Sequence, residues 1–199
     1  DVYYLWDPYL GSLGGYVTFT GPAYTPVPQL SYTSNKFIES GQAFFIRSNG
    51  AAGSVTFEEN AKVDGSYLVS RPTNNPCRLR ANLYLVDTSG RNLYDGVLSE
   101  FDISYQNELD EHDAIKLVNF GENLGIRLND QVLSVERRAM LTSTDTIFYN
   151  LGQVRVKAYQ FEFVAENLVP TGLAAFLEDT WLKTKTPVSL TGTTVVDFS

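Results

Sequence analysis

The chain has one cysteine and one histidine in 199 residues. A single cysteine, Cys77, excludes a disulfide framework within the chain. Its NNPCRLR setting reads as the start of a strand, where a small half-buried thiol is expected rather than a nucleophile. With His112 alone available, zinc sites built from several His and Cys are excluded, and any Cys/His pair or Ser/His/Asp triad would depend on that one imidazole. Lys/Arg runs are missing too, and the formal net charge is -8. Nothing is set to neutralise phosphates, so neither nucleic acid nor an anionic membrane is expected as a partner. No stretch approaches the roughly 18 apolar residues of a membrane span. The opening DVYYLWDPYL has neither the basic nor the apolar region of a signal peptide. It begins without Met on strand-like sequence, and the chain is expected to be a piece excised or processed from a longer protein.

What the chain does contain favours β-structure. Twelve Tyr, twelve Phe and many Val, Thr and Ile suit pleated surfaces, while fifteen Gly and eight Pro supply turns. Val2 to Trp6 and Gly15 to Thr20 read as strands around the turn signals of DPYLGSLGG. A Pro- and Ser/Thr-rich loop follows from Gly21 to about Lys36. A hairpin is expected next, Gln42 to Arg47 with Ser54 to Phe57. RLRANLYLVD alternates through Leu79, Ala81, Leu83 and Leu85, turns at Thr88-Ser89-Gly90, and resumes from Val97 to Tyr105. Further strands are expected at Val132 to Glu136, Thr146 to Leu151, Arg155 to Ala165, Leu173 to Glu178 and Thr193 to Phe198. There is no βαβ rhythm. The spacing predicts an all-β protein, a two-sheet antiparallel β-sandwich of jelly-roll type, with one short helix near 110–118. Asp110 would cap that helix, Asp113 sits three residues on, and Ile115 and Leu117 would point inward. The polar stretch Asn60 to Pro76 marks no clear domain boundary. The reading is one module, 1–199, with halves 1–70 and 77–199 as the alternative division.

The segments GGYVTF, IESGQAFFIRSNGAAGSVTFEENAKV, RLRANLYLVD, DEHDAIKLVN, YQFEFVAENL and AFLEDTWLKTKTPVSLTGTTVVDF follow one another across nearly the whole chain. In that order they resemble the β-rich region just before the C-terminal sorting domain of large surface and secreted proteins of Bacteroidetes, the cargo of the type IX secretion system. SGQAFF, DAIKL and FLED at this spacing carry most of the likeness. The resemblance implies a non-catalytic module on the outer-membrane surface or outside the cell, with an adhesive, scaffolding or presenting role. Its implied partners are cell-surface or matrix components and the secretion machinery; it names no ligand.

Four kinds of site are open. YQNELDEHDAIKL offers oxygen ligands to calcium through Asn107, Glu108, Asp110 and Asp113, although the glycine of an EF-hand loop is absent; acids in a first helical turn, meeting free N–H groups and the helix dipole, are the better-supported reading. Asp102, Glu108, Asp110, Glu136 and Glu162 supply candidates for a glycosidase-type carboxylate pair, a list any acidic β-protein provides. Sugar-binding surfaces present aromatic faces. Tyr9, Tyr24, Tyr32 and Trp181, in loop-like contexts, are the residues expected to face a ligand, glycans being the alternative partner. His112 reads as a surface residue, and Glu136-Arg137-Arg138 as a small charged patch or a solvated strand end.

Overall fold

The computed structural model describes residues 2–21, 24–30, 37–38, 42–48, 50, 52–62, 76–168 and 172–199. About half of them lie in strands, and no α-helix forms among them. Three strands near the N-terminus, β1 (Val2–Asp7), β2 (Gly15–Thr20) and β3 (Thr25–Val27), make a small antiparallel sheet in that order. The main sheet comprises β4 (Cys77–Asp87), β5 (Gly90–Phe101), β6 (Ala114–Ile115), β7 (Asn123–Leu128), β8 (Gln131–Arg138), β9 (Tyr149–Gly152), β10 (Ala158–Glu166) and β13 (Thr193–Phe198). Its order is β13-β10-β4-β5-β8-β7-β9, with β6 paired to β8. The hairpin β11 (Ala175–Asp179) and β12 (Thr184–Val188) stands apart from both sheets.

The alternation of RLRANLYLVD sets the interior. Leu79, Ala81, Leu83 and Leu85 on β4 face inward beside Tyr159, Phe161 and Phe163 on β10, and Phe198 of β13 stacks on Phe161 at 4.9 Å. Each buried side chain of this size contributes about 1.5–3 kcal/mol over leaving it in water. Tyr149 on β9, at the far end of the strand order, reaches back to Phe161 and Phe163 at 6.2 and 5.8 Å. The sheet therefore curls on itself, and Ala175, Leu177, Val188 and Leu190 from the β11–β12 region pack into its concave side.

The result is a curled, mixed half-barrel and not the clear two-sheet sandwich that the strand spacing suggests. The mixed character has one source: β5 and β8 run parallel, with Leu98 opposite Val135. Between them the chain lays down β6 and β7, both against β8. Asn129, with φ of 53°, and Asp130 turn β7 into β8 as a two-residue hairpin.

Across the convex face lies the small sheet. Val27 packs with Leu98, Ala114 and Val135, and a Cβ on Gly96 would come within 2.7 Å of both Pro28 and Asn82. Glycine is what lets the β3 end approach that closely.

Two local expectations give way to tertiary pairing. The helix near 110–118 does not form: 111–113 are a turn and Ala114–Ile115 pair with β8. A helix that short is costly to nucleate, and an existing strand satisfies the same backbone groups. The 42–57 hairpin is also absent as a ladder among the described residues. Phe45 instead exchanges backbone hydrogen bonds with Tyr4, both 2.9 Å, although Phe44 and Phe57 still meet edge-on at 5.9 Å. Cys77 begins β4 with its thiol 3.1 Å from the Asn167 carbonyl.

Candidate functional site

The acidic side chains were the first candidates for chemistry, and the fold occupies most of them internally. Glu162 lies on the convex face of β10 and takes hydrogen bonds from Arg91, from Asn82 at 3.1 Å and from the Tyr84 hydroxyl at 3.1 Å. Burial works against its charge, but the Arg91 and Asn82 bonds outweigh it and hold the carboxyl below the usual carboxylate range. Asp102 accepts from the Ser104 hydroxyl and amide at 2.7 and 2.9 Å, which lowers its pKa in the same sense.

Glu136, Arg137 and Arg138 are buried, contrary to the surface patch or solvated strand end read from sequence. On β8 they alternate between the two faces. Arg137 bonds to Glu100 at 3.4 Å and to the His112 carbonyl at 2.7 Å, and also to the Gly21 carbonyl. Arg138 sits 3.6 Å from Glu136 and 3.2 Å from Asp145. Burial pushes the Glu136 carboxyl up, only partly offset by Arg138, and its Oε2 has no hydrogen-bond partner among the described residues.

Sequence reasoning missed three further buried acids. Asp95 is fully enclosed, 2.5 Å from Lys116 Nζ and accepting from the Leu124 amide. Burial raises its pKa despite those partners. Glu100 lies between Arg137 and Arg78, at 3.4 and 3.7 Å. Glu122 accepts from Arg155 and the Tyr159 hydroxyl, each at 2.8 Å. Neither hydropathy nor motif marks these positions, because the pairing partners lie far away in sequence.

The calcium candidates separate into different roles. Asp110 accepts from the His112 amide at 2.8 Å, and its carboxyl is held low by that bond and Gln106 against the effect of burial. Asp113 accepts from the Asp110 amide at 3.0 Å and the Arg137 amide at 2.8 Å, its pKa raised chiefly by burial. Asn107 accepts from the Ala139 amide at 3.2 Å. Asp110 and Asp113 are thus neighbours, but Glu108 does not complete a cluster: among the described residues no group of three or more His, Cys, Asp or Glu is placed to hold a metal ion. His112 is exposed, its Nδ1 3.1 Å from Asp110.

Among the aromatic candidates, Tyr24 is half-buried, with φ of 50°, its ring 5.9 Å from Tyr3. Tyr32 lies outside the described residues. Trp181 stands at the tip of the β11–β12 hairpin, 89% exposed, on a turn held by Asp179 accepting from the amides of Trp181 and Leu182. Tyr9 is 82% exposed and lines a groove of about 200 Å³ where the β1–β2 loop meets the start of β5. Leu10, Leu30 and Leu93 contribute apolar lining, and Arg91 and Asn92 polar groups. The loop is fixed: Tyr9 N donates to Asp7 at 2.8 Å and Gly11 N to the Leu93 carbonyl at 2.9 Å.

One aromatic array was not read from sequence. Phe45, Tyr16, Trp6 and Phe120 follow one another edge to face, with centroids 5.4, 5.0 and 5.5 Å apart. Trp6 and Tyr16 stand opposite each other across the β1–β2 ladder, whereas Phe45 and Phe120 arrive from distant segments.

No protein-family model, curated protein or solved structure matches the chain.

Proposed function

We propose that the chain is a non-catalytic extracellular module of a large bacterial surface or secreted protein, serving adhesion, scaffolding or secretion-linked presentation. In this reading its partners are cell-surface or matrix components, with the type IX secretion machinery acting on the parent protein. The address rests on the family likeness of SGQAFF, DAIKL and FLED.

The observation that carries the non-catalytic part is the internal engagement of the carboxylates. Glu162, Asp102 and Asp110 hold donors of their own chain, and Glu136 and Asp95 are buried against cations. A glycosidase pair needs two carboxyl groups facing substrate across a cleft, about 5–9.5 Å apart. Surface labelling of intact cells of the source bacterium with an antibody to this segment tests the location. Signal on intact cells or in the medium is expected; signal only after lysis would sink it. Polysaccharide hydrolysis by the purified chain, abolished in Glu162→Gln or Glu136→Gln, would overturn the non-catalytic part.

A second reading, a glycan-binding module, is favoured by the exposed Tyr9 beside a groove with polar groups.

A further inference from the structure

The geometry points to the groove between Tyr9 and Arg91-Asn92 as a binding site for a neutral saccharide unit, an assignment that rests on the glycan-binding reading. Its shape comes from the meeting of two sheets, a place where concave sites form readily. Its chemistry combines an aromatic ring, apolar side chains and planar polar groups within about 200 Å³. Sugar rings present the matching surfaces: C–H faces that lie on an aromatic ring, and hydroxyls that both donate and accept.

Charge decides between ligand classes. Arg91 alone would favour an anion, but its guanidinium is already paired with Glu162 and stacked 3.6 Å above the Tyr84 ring. The pair is close to neutral as a unit, so a phosphate or carboxylate gains little there. A guanidinium has five N–H donors, and those left over can bind hydroxyls. Holding Arg91 on two sides also removes rotamer freedom before a ligand arrives, which lowers the cost of binding. Asn92 adds an amide whose bond to the Ser89 hydroxyl is long, 3.5 Å, and easily exchanged.

The other aromatic surfaces fit less well. In the Phe45–Tyr16–Trp6–Phe120 array, successive rings meet at 88°, 78° and 64°, so neighbouring faces do not form a flat platform. Trp181 stands alone at a hairpin tip with its flanking amides committed to Asp179.

The test is a titration of the purified chain with cellohexaose, mannohexaose and maltohexaose by calorimetry, alongside Tyr9→Ala, Asn92→Ala and, as controls, Trp181→Ala and Phe120→Ala. All four positions are exposed, and circular dichroism confirms folding of each variant. Binding of at least one hexaose, weakened tenfold or more by Tyr9→Ala and Asn92→Ala but unchanged in the controls, is expected. Binding lost only in Trp181→Ala or Phe120→Ala overturns the groove and leaves the glycan reading standing. No binding of any of the three overturns the site. Surface labelling of cells is read independently, so failure of the location and failure of the groove remain distinguishable.

Discussion

The Tyr4 hydroxyl donates to the Ile115 carbonyl at 2.7 Å, across 111 positions of sequence. Tyr4 is almost wholly buried on β1, and its backbone also exchanges two hydrogen bonds with Phe45. One residue thus joins the small sheet, the 42–48 segment and the strand that replaces the expected helix. Burial raises the phenol pKa. A phenol ordinarily titrates at about 10, so the hydroxyl is protonated, and a donor, at neutral pH with or without that shift.

Tyr4→Phe keeps the ring and removes the donor, leaving the Ile115 carbonyl unsatisfied. A loss of about 1 kcal/mol is expected in urea unfolding, together with faster hydrogen exchange at Lys116, whose amide bonds to the Val132 carbonyl at 2.8 Å. Unchanged stability and exchange would show that water replaces the bond at no cost.

Lys116→Met removes the cation from the enclosed Asp95. Breaking one side of a buried pair costs about 3–5 kcal/mol because the remaining charge is left uncompensated. Burial already raises the Asp95 pKa in the wild type and loss of Lys116 raises it further, so the deficit should shrink as pH falls toward the raised wild-type value, above the ordinary carboxylate range. A loss under about 1 kcal/mol, or one independent of pH, would contradict the pairing.

Glu136 behaves in the opposite sense from a salt-bridged surface acid. Its raised pKa, caused chiefly by burial, means that the folded state holds the proton more tightly than the unfolded chain. Stability therefore falls as pH rises from the ordinary carboxylate range through that raised value. Glu136→Gln should be as stable as wild type or better at pH 7, by something on the order of 1 kcal/mol. The gap should close near pH 4, where ordinary carboxyls are largely protonated. Arg138 keeps Asp145 at 3.2 Å in the variant. A large loss at pH 7 would instead make the Glu136–Arg138 pair net stabilising.

Millimolar calcium, followed by EDTA, should leave the thermal midpoint unchanged. Asp110, Asp113 and Asn107 already accept from backbone amides, and a cation would have to displace those bonds. A ligand of the native state must raise the midpoint, so a calcium-dependent increase reversed by EDTA would restore the loop as a metal site.

Much of the strand content was readable locally. The alternation of Leu79 to Leu85 and the Thr193–Phe198 strand stand as expected; the turn falls at Thr88-Ser89, with Gly90 already paired to Asp87 at the start of β5. Asn129-Asp130 is a turn signal that could have revealed β7, but NLGIRL shows weak alternation around its glycine. β12 escaped notice because TKTPV contains a proline and few apolar residues, and its partner β11 supplies the pairing. Of the candidate site, Tyr9 was legible as an exposed loop aromatic, whereas Arg91 and Asn92 were not: strand positions carry no sign of the groove they line.

Composition and period-two hydropathy alone determined that the chain is β-rich, that Leu79, Ala81, Leu83 and Leu85 share the buried face of β4, and where several turns fall. These are local properties, set by which side chains a pleated strand can bury. Tertiary structure decided the rest. It set β8 parallel to β5 and brought Tyr149 onto Phe161, curling the sheet into a half-barrel. It drew Ala114–Ile115 into a ladder where the local pattern favoured a helix. It also buried Glu136-Arg137-Arg138, whose charges are tolerated inside only because Glu100, Asp145 and backbone carbonyls arrive from elsewhere in the chain to meet them. A charge reads as surface in sequence because water is its cheapest partner, and only the assembled fold offers a substitute.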